Sequence, residues 1–194
     1  QVMKAAIQVQ NMVTAMSALM VGAAGVTTEQ ATAAVFQALA SQATSASGSV
    51  DFSNSTNVSS LIDSVAGNLS VNPNTGNLAS AKATVATVIA NVTSAVNDAF
   101  NADPTGGADL LTSLANVATV AQGSATTAIT NAFASGDLSA ALSTIGSDYS
   151  GANLTNAIAS ASSGLIGTSG NDSISGTSGN DTISGLDGND SLYG

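Results

Sequence analysis

The chain contains no cysteine, no histidine and no tryptophan, and Lys4 and Lys82 are its only basic side chains. Each absence removes a class of function. Without cysteine there are no disulfides, no thiol chemistry and no zinc site of the cysteine type. Without histidine no serine triad, imidazole base or zincin helix can be assembled. With two cations against twelve acids, nothing can neutralise a phosphate backbone, so nucleic acid is excluded as a partner. An anionic membrane surface would repel the chain for the same reason. Aromatic residues make up only 3% of the sequence. A core must therefore be built from small aliphatic side chains that let elements approach closely.

What is present falls into two compositions. Hydrophobic residues reach 44%, mostly Ala and Val, while charged residues are 7%. This is not a highly charged disordered chain. The length of 194 residues is enough for one ordinary core plus an appendage. Residues 5–28 carry no charge, but Gln8, Gln10, Asn11, Thr14 and Ser17 interrupt the run. A span needs about 20 predominantly apolar residues, so an amphipathic helix is expected and no transmembrane segment.

Residues 1–163 read as a helical bundle. Val2, Ala6, Val9, Val13, Met16 and Met20 step by four and three along one face, and Gly22 and Gly25 stop the helix. Met3, Met12, Met16 and Met20 share that helix and are read as core. Thr27 to Gln30 has the spacing of a capping box, opening a helix with Val35, Phe36 and Leu39 that runs to about Ser45. Ser47 to Asn57 is a polar loop, with Asn57 as cap of a third helix holding Val58, Leu61, Ile62, Val65 and Leu69. Asn72 to Gly76 is a turn. From about Leu78 a long helix bears Val85, Val88, Ile89, Val92, Val96 and Phe100, broken at Asp103 to Gly107. Leu110, Leu111, Leu114, Val117, Val120, Ile129 and Phe133 mark another, disturbed at Gly123. Short helices near 137–146 and 152–162 complete the set.

Residues 164–194 follow a different rule. Three tandem nine-residue repeats run Gly167 to Ser175, Gly176 to Ser184 and Gly185 to Tyr193, and Gly194 opens a fourth. Gly recurs at positions one and four, Asn at five, Asp at six, and Ile, Ile, Leu at eight. Glycines at one and four permit a tight turn, and Asn tolerates left-handed backbone. The residues after Asp alternate as a three-residue strand with one side chain inward. Turn carbonyls and carboxylates together form an all-oxygen shell, which suits Ca²⁺.

This pattern resembles the repeats-in-toxin family, the calcium-binding nonapeptide of secreted bacterial proteins. It departs at position two, where Thr168, Thr177 and Leu186 replace the family's second glycine. The resemblance implies a parallel β-roll whose successive turns lie on opposite sides, with metal held between alternate turns. Asp172 and Asp190 would then face one ion, with carbonyls from Gly167, Ser169, Leu186 and Gly188. Asp181 would face the other side, and Asp187 would offer a carbonyl or stay in solvent. The opening around Val2 to Gln10 resembles, more loosely, stretches of giant bacterial surface proteins that precede calcium repeats.

No enzymatic activity is expected. There is no Gly-x-Ser-x-Gly, no phosphate-binding glycine loop, and no nucleophile–base pair. The acids outside the repeats are Glu29, Asp51, Asp63, Asp98, Asp103, Asp109, Asp137 and Asp148. Asp109 and Asp137 stand at expected helix starts, where a carboxylate complements the dipole. A glycosidase pair among these acids would be unusual without tryptophan.

The expected fold class is mainly α, an Ala/Val-rich helical bundle followed by the start of a parallel calcium β-roll. The expected function is a structural segment of an extracellular bacterial scaffold, adhesin or surface-layer protein at the cell surface. Its expected partners are calcium, neighbouring domains of a larger chain, further copies of itself and cell-surface components. The alternative is a secretion and folding module of a larger toxin or hydrolase; a calcium buffer or sensor is a third, weaker class. Neither a signal peptide nor a C-terminal export signal is visible, so both ends read as cut points of a larger protein.

Overall fold

A computed structural model describes residues 2–45, 50–161, 165–166, 170–175, 183–185 and 187–193. Its helices are α1 (Val2–Ala24), α2 (Thr28–Ser45), α3 (Ser55–Asn68), α4 (Gly76–Ala102), α5 (Ala108–Ala118), α6 (Thr126–Ala134), α7 (Leu138–Asp148) and α8 (Gly151–Ser160), with a π-helical segment at Thr119–Ala125 between α5 and α6. Four short strands follow: β1 (Leu165–Ile166), β2 (Ser173–Ser175), β3 (Ile183–Ser184) and β4 (Ser191–Tyr193). The expected order of helical part and strands is therefore present.

Local chemistry sets the helix ends. Gly25 adopts φ +67 and donates its N–H to Val21 O at 3.0 Å, a left-handed C-cap that ends α1. Gly22, expected to share that role, lies inside α1 instead. Thr27 and Gln30 close the capping box from both sides: Thr27 N–H reaches Gln30 Oε1 at 3.0 Å, and Gln30 N–H reaches Thr27 Oγ1 at 3.3 Å. The cap of α3 is Asn54, which accepts from Thr56 N–H at 2.8 Å. The expected cap, Asn57, is helical, and its amide donates to Asp51 O at 2.8 Å. Asn54 is the better cap because its extended backbone aims Oδ1 at the exposed first-turn amides. Asp137 caps α7 by accepting from Ala140 N–H at 3.0 Å, and Asp109 lies in the first turn of α5.

The long helices α1 and α4 form the centre. Gln8 near the start of α1 donates to Asn97 near the end of α4 at 2.8 Å, so the two run antiparallel. Two apolar clusters meet on α4. Leu78, Ala81, Val85 and Ile89 join Met12, Met16, Leu19 and Met20 of α1, Val35 of α2, and Leu61, Ile62 and Val65 of α3. Val88, Val92 and Val96, each four residues on, join Leu110, Leu114, Val117, Val120, Ile145 and Leu154. The methionines at 12, 16 and 20 are thus core. Met3, Val2, Phe36 and Leu111 are exposed, contrary to their place in the sequence pattern. Ala6 is exposed too. The first turns of α1 extend past the packed layer, so periodicity continues where cover does not.

Gly123 lies within the π-helical segment, where the expected disturbance of this helix falls. Glycine is among the weakest helix formers, and here the wider turn delivers Gln122 to α1. Its amide donates to the buried Asn11 Oδ1 at 2.9 Å. Polar bonds also tie the outer helices. Asn68 Nδ2 donates to Ala34 O at 3.1 Å, Asn91 Nδ2 donates to Tyr149 O at 2.9 Å, and Lys82 pairs with Asp63 at 2.8 Å. No helix among the described residues is long and apolar enough to cross a membrane.

Candidate metal centre

The strands pair in parallel and skip a repeat. Leu165 and Ile166 of β1 align with Ile183 and Ser184 of β3. Ser173, Ile174 and Ser175 of β2 align with Ser191, Leu192 and Tyr193 of β4. Both registers are two repeats apart, as alternate turns of a roll require. Successive strands therefore belong to two different sheets, and the turns before β2 and β4 share one side. Leu165 falls in phase with the apolar position eight, so the periodicity begins one strand before the first glycine of the repeats.

Bonds between described residues tie the first-repeat turn to the third-repeat turn at consecutive positions. At position five, Asn189 N–H donates to Asn171 Oδ1 at 2.8 Å. At position six, Asp172 N–H donates to Asp190 Oδ1 at 2.9 Å. At position seven, Ser191 N–H donates to Asp172 O at 2.8 Å and the ladder begins. Asp190 and Asp172, which the family resemblance implies on one side, are neighbours there. Both are half-buried.

The glycines do different jobs. Gly188 has φ +127, a backbone region closed to other residues, and a Cβ there would lie 2.7 Å from the Gly170 carbonyl carbon. Gly185 has no such φ. It is buried, and a Cβ would occupy the space of the Asp190 Oδ2. Position one is glycine in the third repeat to make room for a carboxylate rather than to make the turn. This cradle and the hard oxygen donors around it fit a calcium ion. Among the described residues no three acidic side chains cluster, so carbonyl oxygens would have to complete a shell.

Of the expected ligands, Gly167, Ser169, Asp181 and Leu186 lie outside the described residues. Gly188 is exposed in its turn, and Asp187 is exposed as well. The inward apolar position is only partly covered: Ile174 and Ile183 are half-buried, and Leu192 is 44% exposed. Among the described residues, two two-stranded sheets offer little surface to bury it against. Sequence reasoning missed the side-chain role of Asn171 and the cradle at Gly185. The in-phase recurrence of Asn171, Asn180 and Asn189 was the available signal.

The acids of the helical part have local tasks. Asp51 is held below the usual carboxylate range by the Ser53 hydroxyl at 2.6 Å and the Ser53 amide. Asp103 is lowered chiefly by the Thr105 hydroxyl at 2.5 Å, and also accepts from Gly107 N–H at 3.1 Å. Burial raises the Tyr149 phenol, with Asp148 adding to the effect. A groove of about 520 Å³ between α1, α2 and α6 is lined by Ser and Thr hydroxyls, Gln10 and the apolar Val13, Ala18, Val21 and Phe36, with no carboxylate. Asp98 and Asp148 line two separate grooves.

No curated protein and no solved structure matches the chain. A family model does match, over residues 166–194, and its description is the RTX calcium-binding nonapeptide repeat (4 copies). RTX nonapeptide repeats bind Ca²⁺, and the proteins that contain them are typically secreted. The alternate-turn register and the acidic sixth position agree with that match, which covers residues 166–194.

Proposed function

We infer that this chain is a structural, calcium-stiffened segment of an extracellular bacterial scaffold, adhesin or surface-layer protein, and that it is not an enzyme. The observation that supports it most is the side-by-side placement of the first and third turns, with Asp190 seated beside Asp172 and above Gly185. The ligand set would be the carboxylates of Asp172 and Asp190 with carbonyls of Gly167, Ser169, Leu186 and Gly188. Asp181 would serve the opposite side. When bound, calcium supplies the positive charge that lets acidic turns stack.

The energetics favour metal dependence. Ordering a glycine-rich turn is costly in backbone entropy, and one half-covered apolar residue per repeat offsets little of it. Metal affinity must then become folding free energy. The helical part needs no such help, since it buries two apolar clusters that meet on α4. Its acids cap helices and loops or lie apart, which supports a scaffold rather than a catalyst.

Calorimetric titration of the full chain tests this. Calcium should bind at about 10⁻⁴–10⁻³ M or more weakly, and magnesium should not substitute. Asp172→Ala and Asp190→Ala should each abolish the same site, while Asp181→Ala should spare it. Absence of calcium binding, or equal loss with Asp181→Ala, would overturn the ligand assignment. Hydrolysis of peptide, ester or glycoside substrates that stops on mutating an acid of the helical part would overturn the structural reading.

A further inference from the structure

We propose that Asn171 is a positioning residue of the calcium site, and that its side-chain oxygen sets the height at which the third-repeat turn stacks on the first. The proposal rests on the calcium reading above. It starts from a gap in the ladder. The backbone at Gly188 runs so close to Gly170 that a Cβ would lie 3.2 Å from Asn171 N. Strand pairing between these turns begins only at Ser191. The Asn189 and Asp172 amides, at positions five and six, find their acceptors before that point.

Side chains supply both acceptors, and they do so reciprocally. Asn171 of the first turn takes Asn189 N–H at 2.8 Å. Asp190 of the third turn takes Asp172 N–H at 2.9 Å. The first bond fixes the Gly188–Asn189 peptide, one residue before Asp190, and hence where the Asp190 carboxylate stands over Gly185. Asn171 brings no charge, so it can hold the turn without adding to the repulsion between acids. The roles are not symmetric: Asn171 acts through its side chain, Asn189 through its backbone amide.

That asymmetry gives the test. Calcium affinity of the full chain is measured by calorimetry, and exchange of the Asn189 amide is followed by NMR in saturating calcium. Asn171→Ala should weaken calcium binding about tenfold, the loss of one net hydrogen bond, and should speed exchange at Asn189. Asn171→Asp keeps an acceptor oxygen and should keep that amide slow. Asn189→Ala keeps its N–H and should leave both readouts near the parent values. If Asn171→Ala binds calcium as the parent does, or if Asn189→Ala is equally weakened, the positioning role is wrong while the calcium site stands. If the parent chain binds no calcium, the site itself is wrong and the proposal falls with it.

Discussion

At Gly22 a methyl group has nowhere to go. Its Cβ would overlap the ring of Phe133, which comes from α6. Gly67 in α3 is the opposite case: it is helical, with nothing within 4 Å of a Cβ. Gly22→Ala should therefore destabilise by about 1–3 kcal/mol through overpacking, although alanine is the better helix former. Gly67→Ala should stabilise by about 0.5–1 kcal/mol, since only backbone entropy changes. Thermal unfolding of the two variants reads this directly; shifts of the same sign would show that Phe133 does not rest on Gly22. The same distinction holds in the tail, where Gly188 is needed for its φ and Gly185 for the space beside Asp190. A sequence shows that a glycine recurs, but not which of these reasons placed it there.

The elements were readable where periodicity and capping agreed. Thr27 to Gln30 announced α2, and the Val85, Val88, Ile89, Val92, Val96 series announced α4. What the pattern could not supply was which side chains find a neighbour. Phe36 and Leu111 keep the spacing of buried residues yet face solvent, because cover depends on where other helices dock. Asn57 looked like a cap because a polar loop preceded it, but Asn54 reaches the free amides first. In the tail the repeat marked the strands and the family resemblance implied the alternate-turn register, whereas the bond from Asn189 to Asn171 depends on a close backbone approach that composition does not express. Val92 is the sharpest check on the helical reading. It is 3% exposed, in the apolar cluster that α4 shares with α5 and α7. Val92→Asp should cost several kcal/mol, about 3 or more, because it buries a carboxylate without a partner. Unchanged chemical denaturation would place the buried stripe of α4 elsewhere.

At the scale of the molecule, two kinds of stability stand in one chain. The helices bury two apolar clusters that meet on α4, with Asn11, Asn68 and Asn91 bonded across elements. The strands have two short parallel pairs, a half-covered apolar position and a concentration of carboxylates. The first should stand in any ionic condition, and the second should depend on the metal its turns are built to hold. Amide hydrogen exchange of the full chain, read in calcium and again in chelator, separates them. Amides of Val85 to Val96 should be equally protected in both. Those of Ser173 to Ser175 and Ser191 to Tyr193 should be protected in calcium and exchange freely in chelator. Strand amides that stay protected without calcium, or a helix α4 that loses protection when calcium is withdrawn, would contradict the account.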